Sequence, residues 1–224
     1  MSEITDIVAI DGPAGVGKST VAERVAQALG FAYLDTGAMY RAATWWALHR
    51  RIDLDDTEAV VASTRALPLE MREDDGRLRV LVDGQDVTVR IRFPEVTREV
   101  CRIDQNPQVR QHLVSLQRAF GAKQPTVAEG RDICTVVFPK AKCKVFLDAS
   151  LEERARRRAA QLRAQGVDVD LEALRQGILE RDENTRQRRE SPLRRAEDAS
   201  LVDTTAMTLD EVVDRVVCLA REVL

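Results

Sequence analysis

Gly12-Pro13-Ala14-Gly15-Val16-Gly17-Lys18-Ser19 completes the pattern G-x-x-x-x-G-K-[ST], and the residues on either side supply the setting it needs. Ile7-Val8-Ala9-Ile10 ahead of it is a short apolar run suited to a buried strand. Behind it, Val21, Val25 and Leu29 recur at helical spacing, and Gly30 can end that helix. A strand, a glycine-rich turn and a helix in this order make an anion cradle. The glycines let backbone N–H groups approach polyphosphate oxygens, and the helix N-terminus favours negative charge. Lys18 can then reach the terminal phosphates, and the Ser19 hydroxyl can take a Mg²⁺ position. The chain is expected to bind a nucleoside triphosphate on an α/β scaffold.

The 224 residues suffice for one domain with a central sheet covered by helices. A formal charge of −3 excludes the large positive surplus of a dedicated nucleic-acid binder. No apolar stretch approaches a membrane span, and the opening Met-Ser-Glu-Ile-Thr-Asp does not read as a signal peptide. Cys101, Cys134, Cys143 and Cys218 form no C-x-x-C pair, and His49 and His112 are the only histidines. A zinc site is therefore not expected, and reduced thiols in the cytoplasm are.

Strand and helix patterns alternate along the chain. Phe31–Leu34 reads as a second strand, followed by a helix from about Ala38 to Arg50 in which Trp45 and Trp46 serve packing. Residues 66–92 differ: Leu67, Leu69 and Met71 alternate, Asp75-Gly76 signals a turn, and Leu78, Val80 and Val82 alternate again. This predicts an antiparallel insertion. Pro94 opens a helical pattern that Pro107 breaks or kinks before it continues to Gly121. Thr126–Glu129, Cys143–Leu147 and Ser200–Val202 complete a set of five core strands. Ser150 with Glu153 and Thr208 with Glu211 are candidate capping boxes, the second opening a closing helix with Val212, Val216 and Leu219 on its apolar face. The expected fold is three-layered, with a mainly parallel five-stranded sheet, a small antiparallel insertion and a helical lid. Its parts would be a core (about 1–35, 122–150 and 196–224), an acceptor region (about 36–121) and a lid (about 151–195).

Triphosphate loops serve several chemistries. The chain lacks an N-K-x-D guanine-reading element and the H-R-D and D-F-G elements of protein kinases. Between Leu151 and Asp198 it carries twelve Arg, no Lys and eleven Asp or Glu. Arginine grips phosphate through a rigid planar fork, so the stretch reads as a phosphate-gripping lid; a salt-bridged helical surface is the alternative. Scarce histidine suits a phosphate acceptor, whose second pKa near 6 leaves it ionised without a general base.

Several segments together resemble the bacterial cytidylate kinases, the monophosphate kinases of CMP and dCMP. They are Ile10 through Thr20, Leu34-Asp35-Thr36-Gly37-Ala38-Met39-Tyr40-Arg41, Pro107-Gln108-Val109-Arg110, Glu129-Gly130-Arg131-Asp132-Ile133-Cys134-Thr135-Val136-Val137-Phe138-Pro139, Phe146 through Arg154, and Ser191-Pro192-Leu193. The G-R-D-I-x-T-V-V-F-P segment is the most specific of them. The resemblance implies ATP and (d)CMP as substrates with Mg²⁺. Gly12 to Thr20 would hold ATP, and Arg41 and Arg131 would clamp the acceptor phosphate. Arg110 and Asp132 would read cytosine, with Thr36, Tyr40 and Arg181 near the acceptor and its sugar. Arg188, with Arg154 or Arg158, would close from the lid. Asp35 and Glu129 would organise hydrated Mg²⁺ beside Ser19. Lys18, Asp35, Arg131 and Arg188 would then carry the chemistry.

Two positions depart from the family. Cys101 stands where a serine commonly contacts the base, and Thr185 where an aspartate contacts the ribose. For Asp132 the alternative role is an ion pair with Arg131 that merely holds the loop. A UMP-preferring or broad pyrimidine kinase would share every phosphate feature, and an inactive nucleotide sensor would share the loop. The surviving acceptor-side arginines disfavour the sensor. The chain is expected to work as a monomer without nucleic-acid or membrane partners.

Overall fold

Every residue of the first strand is buried, and successive side chains enter two different cores. In the computed structural model, which describes residues 6–74, 77–164 and 166–224, strand β1 is Ile7–Asp11. Ile7 and Ala9 join one core with Leu34, Ala128 and side chains of four helices. Those helices are α2 (Thr36–His49), α3 (Thr57–Arg65), α4 (Pro94–Asp104) and α5 (Pro107–Gly121). Val8 and Ile10 face the other way, into a core with Val127, Val145 and Leu147. There α1 (Lys18–Leu29) and α8 (Leu209–Val223) supply Val21, Val25, Val212 and Val216. Apolar residues on both faces are what a sheet covered on both sides requires.

Strands β2 (Ala32–Asp35), β6 (Thr126–Gly130), β7 (Cys143–Asp148) and β8 (Ser200–Asp203) complete the main sheet in the order β2-β6-β1-β7-β8. Each adjacent pair is parallel. All strand C-termini therefore reach one edge, where Asp11 lies opposite Gly130 and Asp35 opposite Glu129. Ligands of open parallel sheets bind at that edge. The insertion forms a separate antiparallel sheet of β3 (Leu69–Asp74), β4 (Arg77–Val82) and β5 (Gln85–Asp86). The Asp75-Gly76 turn signal lies outside the described residues. Helices α6 (Leu151–Ala164) and α7 (Leu171–Arg186) form the arginine-dense stretch, with Gly166 at positive φ between them.

Some local expectations change. Of the break and the kink left open at Pro107, the structure has the break: residues 94–121 form two helices, because Asn106 Oδ1 accepts from the N–H groups of Gln108 and Val109 and starts α5 afresh with Pro107 in its first turn. Helix α3 is an addition; its adjacent Val60 and Val61 carry little helical periodicity, but Asp56 caps it through Ala59 N–H at 3.0 Å. Only half of the Ser150–Glu153 box forms. Ser150 Oγ accepts from Glu153 N–H at 3.2 Å, while the Glu153 carboxylate turns to Arg156 and Arg157. The Thr208–Glu211 box is complete. Trp45 is partly buried against the insertion and stacks on His49 with ring centroids 4.8 Å apart.

Candidate active site

The phosphate loop leaves β1 at the ligand-binding edge. A Cβ on Gly12 would sit 2.3 Å from the carbonyl oxygen of Leu147 on β7, so only glycine lets the chain turn there. Gly17 holds φ 97° as it caps α1, a left-handed conformation that glycine adopts without strain. Lys18 begins α1, is 6% exposed, and donates from Nζ to Pro13 O at 2.9 Å. Burial, and then the neighbouring Arg131 guanidinium, push its ammonium down to about 7. A polyanion beside it would favour the charged ammonium.

Beside Lys18 stand two carboxylates. Ser19 Oγ donates to Glu129 Oε1 at 2.6 Å, and Thr36 Oγ1 donates to Glu129 O at 2.8 Å. Asp35 caps α2 by accepting from Ala38 N–H at 2.8 Å, and its second oxygen accepts from Arg92 at 3.0 Å. Burial, followed by repulsion from Asp35, raises the Glu129 carboxyl. Ser19, Glu129 and Asp35 thus gather hard oxygen donors where extra positive charge is favourable.

Asp11 holds the next segment in place. Fully buried, it accepts from Ile133 N–H at 2.9 Å and Cys134 N–H at 2.8 Å, fastening the π-helical turn Ile133–Val137 that follows Arg131 and Asp132. Burial raises its carboxyl to about 6. Asp11→Asn turns an amide N–H₂ toward one of these backbone donors. We expect a loss of about 1–3 kcal/mol of stability, measurable by urea unfolding, together with weaker acceptor binding.

Arginines face the carboxylates from the acceptor side. Arg131 donates to Gly12 O at 3.0 Å, and Arg41 donates to Thr97 Oγ1 at 2.7 Å and Ile91 O at 3.2 Å. Burial and then Arg181 lower Arg131 to about 10; burial and then Arg41 do the same to Arg181. Arg41 is lowered by burial and then by Arg92. Such a set of cations is poised for a multiply charged anion.

Arg110 and Asp132 form a buried ion pair, so Asp132 pairs across the cleft with Arg110 and not with adjacent Arg131. The Arg110 guanidinium lies 5.3 Å over the Tyr40 ring and donates to the backbone oxygen of Asp104 at 3.2 Å. Just beyond α7, Arg188 pairs with Asp104. Arg154 is spent on the loop: it donates to Ala149 O and Ala14 O, at 3.1 and 2.9 Å, and pairs with Asp182. Asp182 also accepts from Ala14 N–H at 2.9 Å, so α6 and α7 both hold the phosphate loop. Arg158 bonds Gln161 on its own helix at 2.6 Å. Thr185 is buried and donates to Arg181 O at 2.7 Å. Cys101 is exposed, its thiol 3.5 Å from Arg98 O.

Sequence reasoning assigned no role to Asp11, Arg92, Asp104 or Asp182. For Asp11 a signal existed, a lone acid ending an apolar strand. The other three acquire partners 57, 84 and 28 residues away, which no local pattern encodes.

Among known proteins, the model of the cytidylate kinase family matches residues 8–222. The chain is 45% identical over 215 residues to a cytidylate kinase of Geobacillus sp. strain WCH70, covering 96% of each. It is 49% identical over 212 residues to a cytidylate kinase of Corynebacterium glutamicum, covering 94% of this chain and 92% of that one. A solved structure of an uncharacterized protein from Eubacterium ventriosum shares the fold, with TM-score 0.52 and 12% identity over 97% of this chain and 99% of that one. With the phosphate loop, the paired carboxylates and the arginine cluster at one sheet edge, the chain belongs to the cytidylate kinase family.

Proposed function

We propose that the chain transfers the γ-phosphoryl group of ATP to CMP or dCMP, giving ADP and (d)CDP. The observation that carries this reading is the buried Arg110–Asp132 pair, one residue from Arg131 and on the same edge as the phosphate loop. A carboxylate accepts from the cytosine amine while a guanidinium donates to the ring's acceptor atoms. Uracil presents a carbonyl and an N–H at those places and mismatches both, which disfavours the UMP-preferring alternative.

ATP lies along Gly12–Thr20, with Lys18 on the terminal phosphates. Arg41, Arg131 and Arg181 neutralise the acceptor phosphate, Tyr40, Thr36 and Thr185 flank the acceptor, and Arg158 and Arg188 approach from the lid. Arg154 acts through the loop backbone that it braces. Ser19, with Glu129 and Asp35 through water, would hold Mg²⁺, whose oxygen-rich coordination suits this donor set. When bound, the metal would neutralise charge developing on the transferring phosphates. An ionised acceptor oxygen needs no base, so the protein's work is alignment and charge neutralisation. His49 stacks on Trp45.

We infer that the core, acceptor region and lid act as one catalytic unit, monomeric and cytoplasmic. Among the described residues no helix is long and apolar enough to cross a membrane. The test is ADP formation with CMP, dCMP, UMP and AMP as acceptors. Both cytidine nucleotides should exceed UMP and AMP by at least about a hundredfold in kcat/KM. Equal rates with UMP would support the broad pyrimidine kinase, and absence of transfer the sensor.

A further inference from the structure

The acceptor side contains a second carboxylate that the family pattern leaves without a role. Asp104 ends α4, one helical turn beyond Cys101, and both of its polar ends are used. Its backbone oxygen accepts from Arg110, the guanidinium that pairs with Asp132. Its Oδ2 pairs with Arg188 of the lid. Oδ1 is buried and finds no hydrogen-bond partner among the described residues, and the same holds for Arg188 Nε and the Tyr40 hydroxyl nearby. An unpaired buried carboxylate oxygen is costly, so it marks a place where a donor belongs. A cleft of about 540 Å³ opens next to Gln105 and Arg188, between the α4–α5 junction and the end of α7; Asp104, Arg110 and Asp132 are not among its lining residues.

We propose that Asp104 is a specificity-determining residue whose Oδ1 accepts one of the two amino hydrogens of cytosine. This rests on the reading of Arg110 and Asp132 as the base-edge pair. The cytosine amine carries two N–H donors, and Asp132 satisfies one of them. The exposed Cys101 thiol, a weak donor, supplies no strong acceptor for the other. Asp104 lies on the same turn of α4 with a free anionic oxygen. Uracil would bring a carbonyl oxygen, with lone pairs and no hydrogen, against two carboxylates. Because Oδ2 keeps Arg188 while Oδ1 takes the amine, Asp104 also seats the lid arginine beside a correctly read base. Base choice and lid closure would thus share one side chain.

The test compares the parent with Asp104→Ala and Asp104→Asn in kcat/KM for CMP, dCMP and UMP, with KM for ATP and thermal unfolding recorded. The CMP/UMP ratio should fall about tenfold in both variants. In Asp104→Asn the value for UMP should rise, because the amide N–H₂ can donate to the uracil carbonyl. The CMP/dCMP ratio should hold. An unchanged CMP/UMP ratio in the near-isosteric Asn variant would reduce Asp104 to a structural tie for Arg188. A shift in CMP/dCMP in its place would move the contact to the ribose, and either result overturns the proposal. If the parent itself fails to phosphorylate CMP, the fault lies in the broader functional reading. A parent active on CMP with insensitive ratios isolates the fault to Asp104.

Discussion

Lys18→Ala is expected to lower turnover by at least about 10²–10³-fold at saturating ATP while leaving the fold intact. Lys18 is buried at the start of α1 with Nζ bonded to Pro13 O of the loop, where its charge is expected to act on a bound phosphate and not in the core. The same burial makes it a stability liability. Its folded-state value of about 7 lies below the ordinary 10.5, so between these limits the unfolded chain binds the extra proton and stability rises with pH. The penalty is fully present below pH 7 and relieved as pH climbs toward 10.5. Lys18→Met removes the charge and keeps the volume. It should raise the Tm of the ligand-free protein most below pH 7, with the gain shrinking at higher pH. Conversely, ATP binding near pH 8 should take up protons, measurable by calorimetry in buffers of different ionisation enthalpy. Near-parent turnover in Lys18→Ala would contradict the loop's role.

Arg131→Ala should reduce transfer to every monophosphate by about a thousandfold or more, whereas Asp132→Ala should mainly erode the choice of base. Arg131 lies against the loop carbonyl Gly12 O, among cations whose mutual repulsion lowers it to about 10 after burial has done the larger part. Without its charge the acceptor phosphate and the γ-phosphate repel each other unscreened. Asp132 instead turns to Arg110, in a pair whose loss leaves a buried guanidinium without its carboxylate. The ratio of kcat/KM for CMP and UMP separates the two roles. It should be nearly constant in Arg131→Ala and fall roughly ten- to a hundredfold in Asp132→Ala. A constant ratio in Asp132→Ala would leave that pair a structural brace.

The five core strands were legible because each is a short apolar run bounded by turn residues. Two faces of burial then follow from period-two alternation: Ile7 and Ala9 to one core, Val8 and Ile10 to the other. The phosphate loop was legible for a different reason, since its glycines answer a backbone demand that sequence alone expresses. Helix α3 escaped notice because tertiary packing and the Asp56 cap, more than periodicity, hold it. At Pro107 the sequence left a break and a kink both open, because proline marks both a kink and a helix start, and the structure has the break. In the site, the acidic partners were hardest to read. Asp104 meets Arg188, Asp182 meets Arg154 and Asp35 meets Arg92 only when segments far apart in the chain converge. A charge-rich helix predicts that ion pairs exist, but not which pairs reach into the site.

The central claim is that this arrangement delivers a phosphoryl group to a cytidine monophosphate and withholds it from water. Incubation with [γ-³²P]ATP, Mg²⁺ and CMP, followed by separation of nucleotides and inorganic phosphate, tests it directly. The account expects the label in the β-position of CDP, little in free phosphate, and almost none in UDP when UMP replaces CMP. Label released chiefly as inorganic phosphate, or shared equally between CDP and UDP, would contradict it.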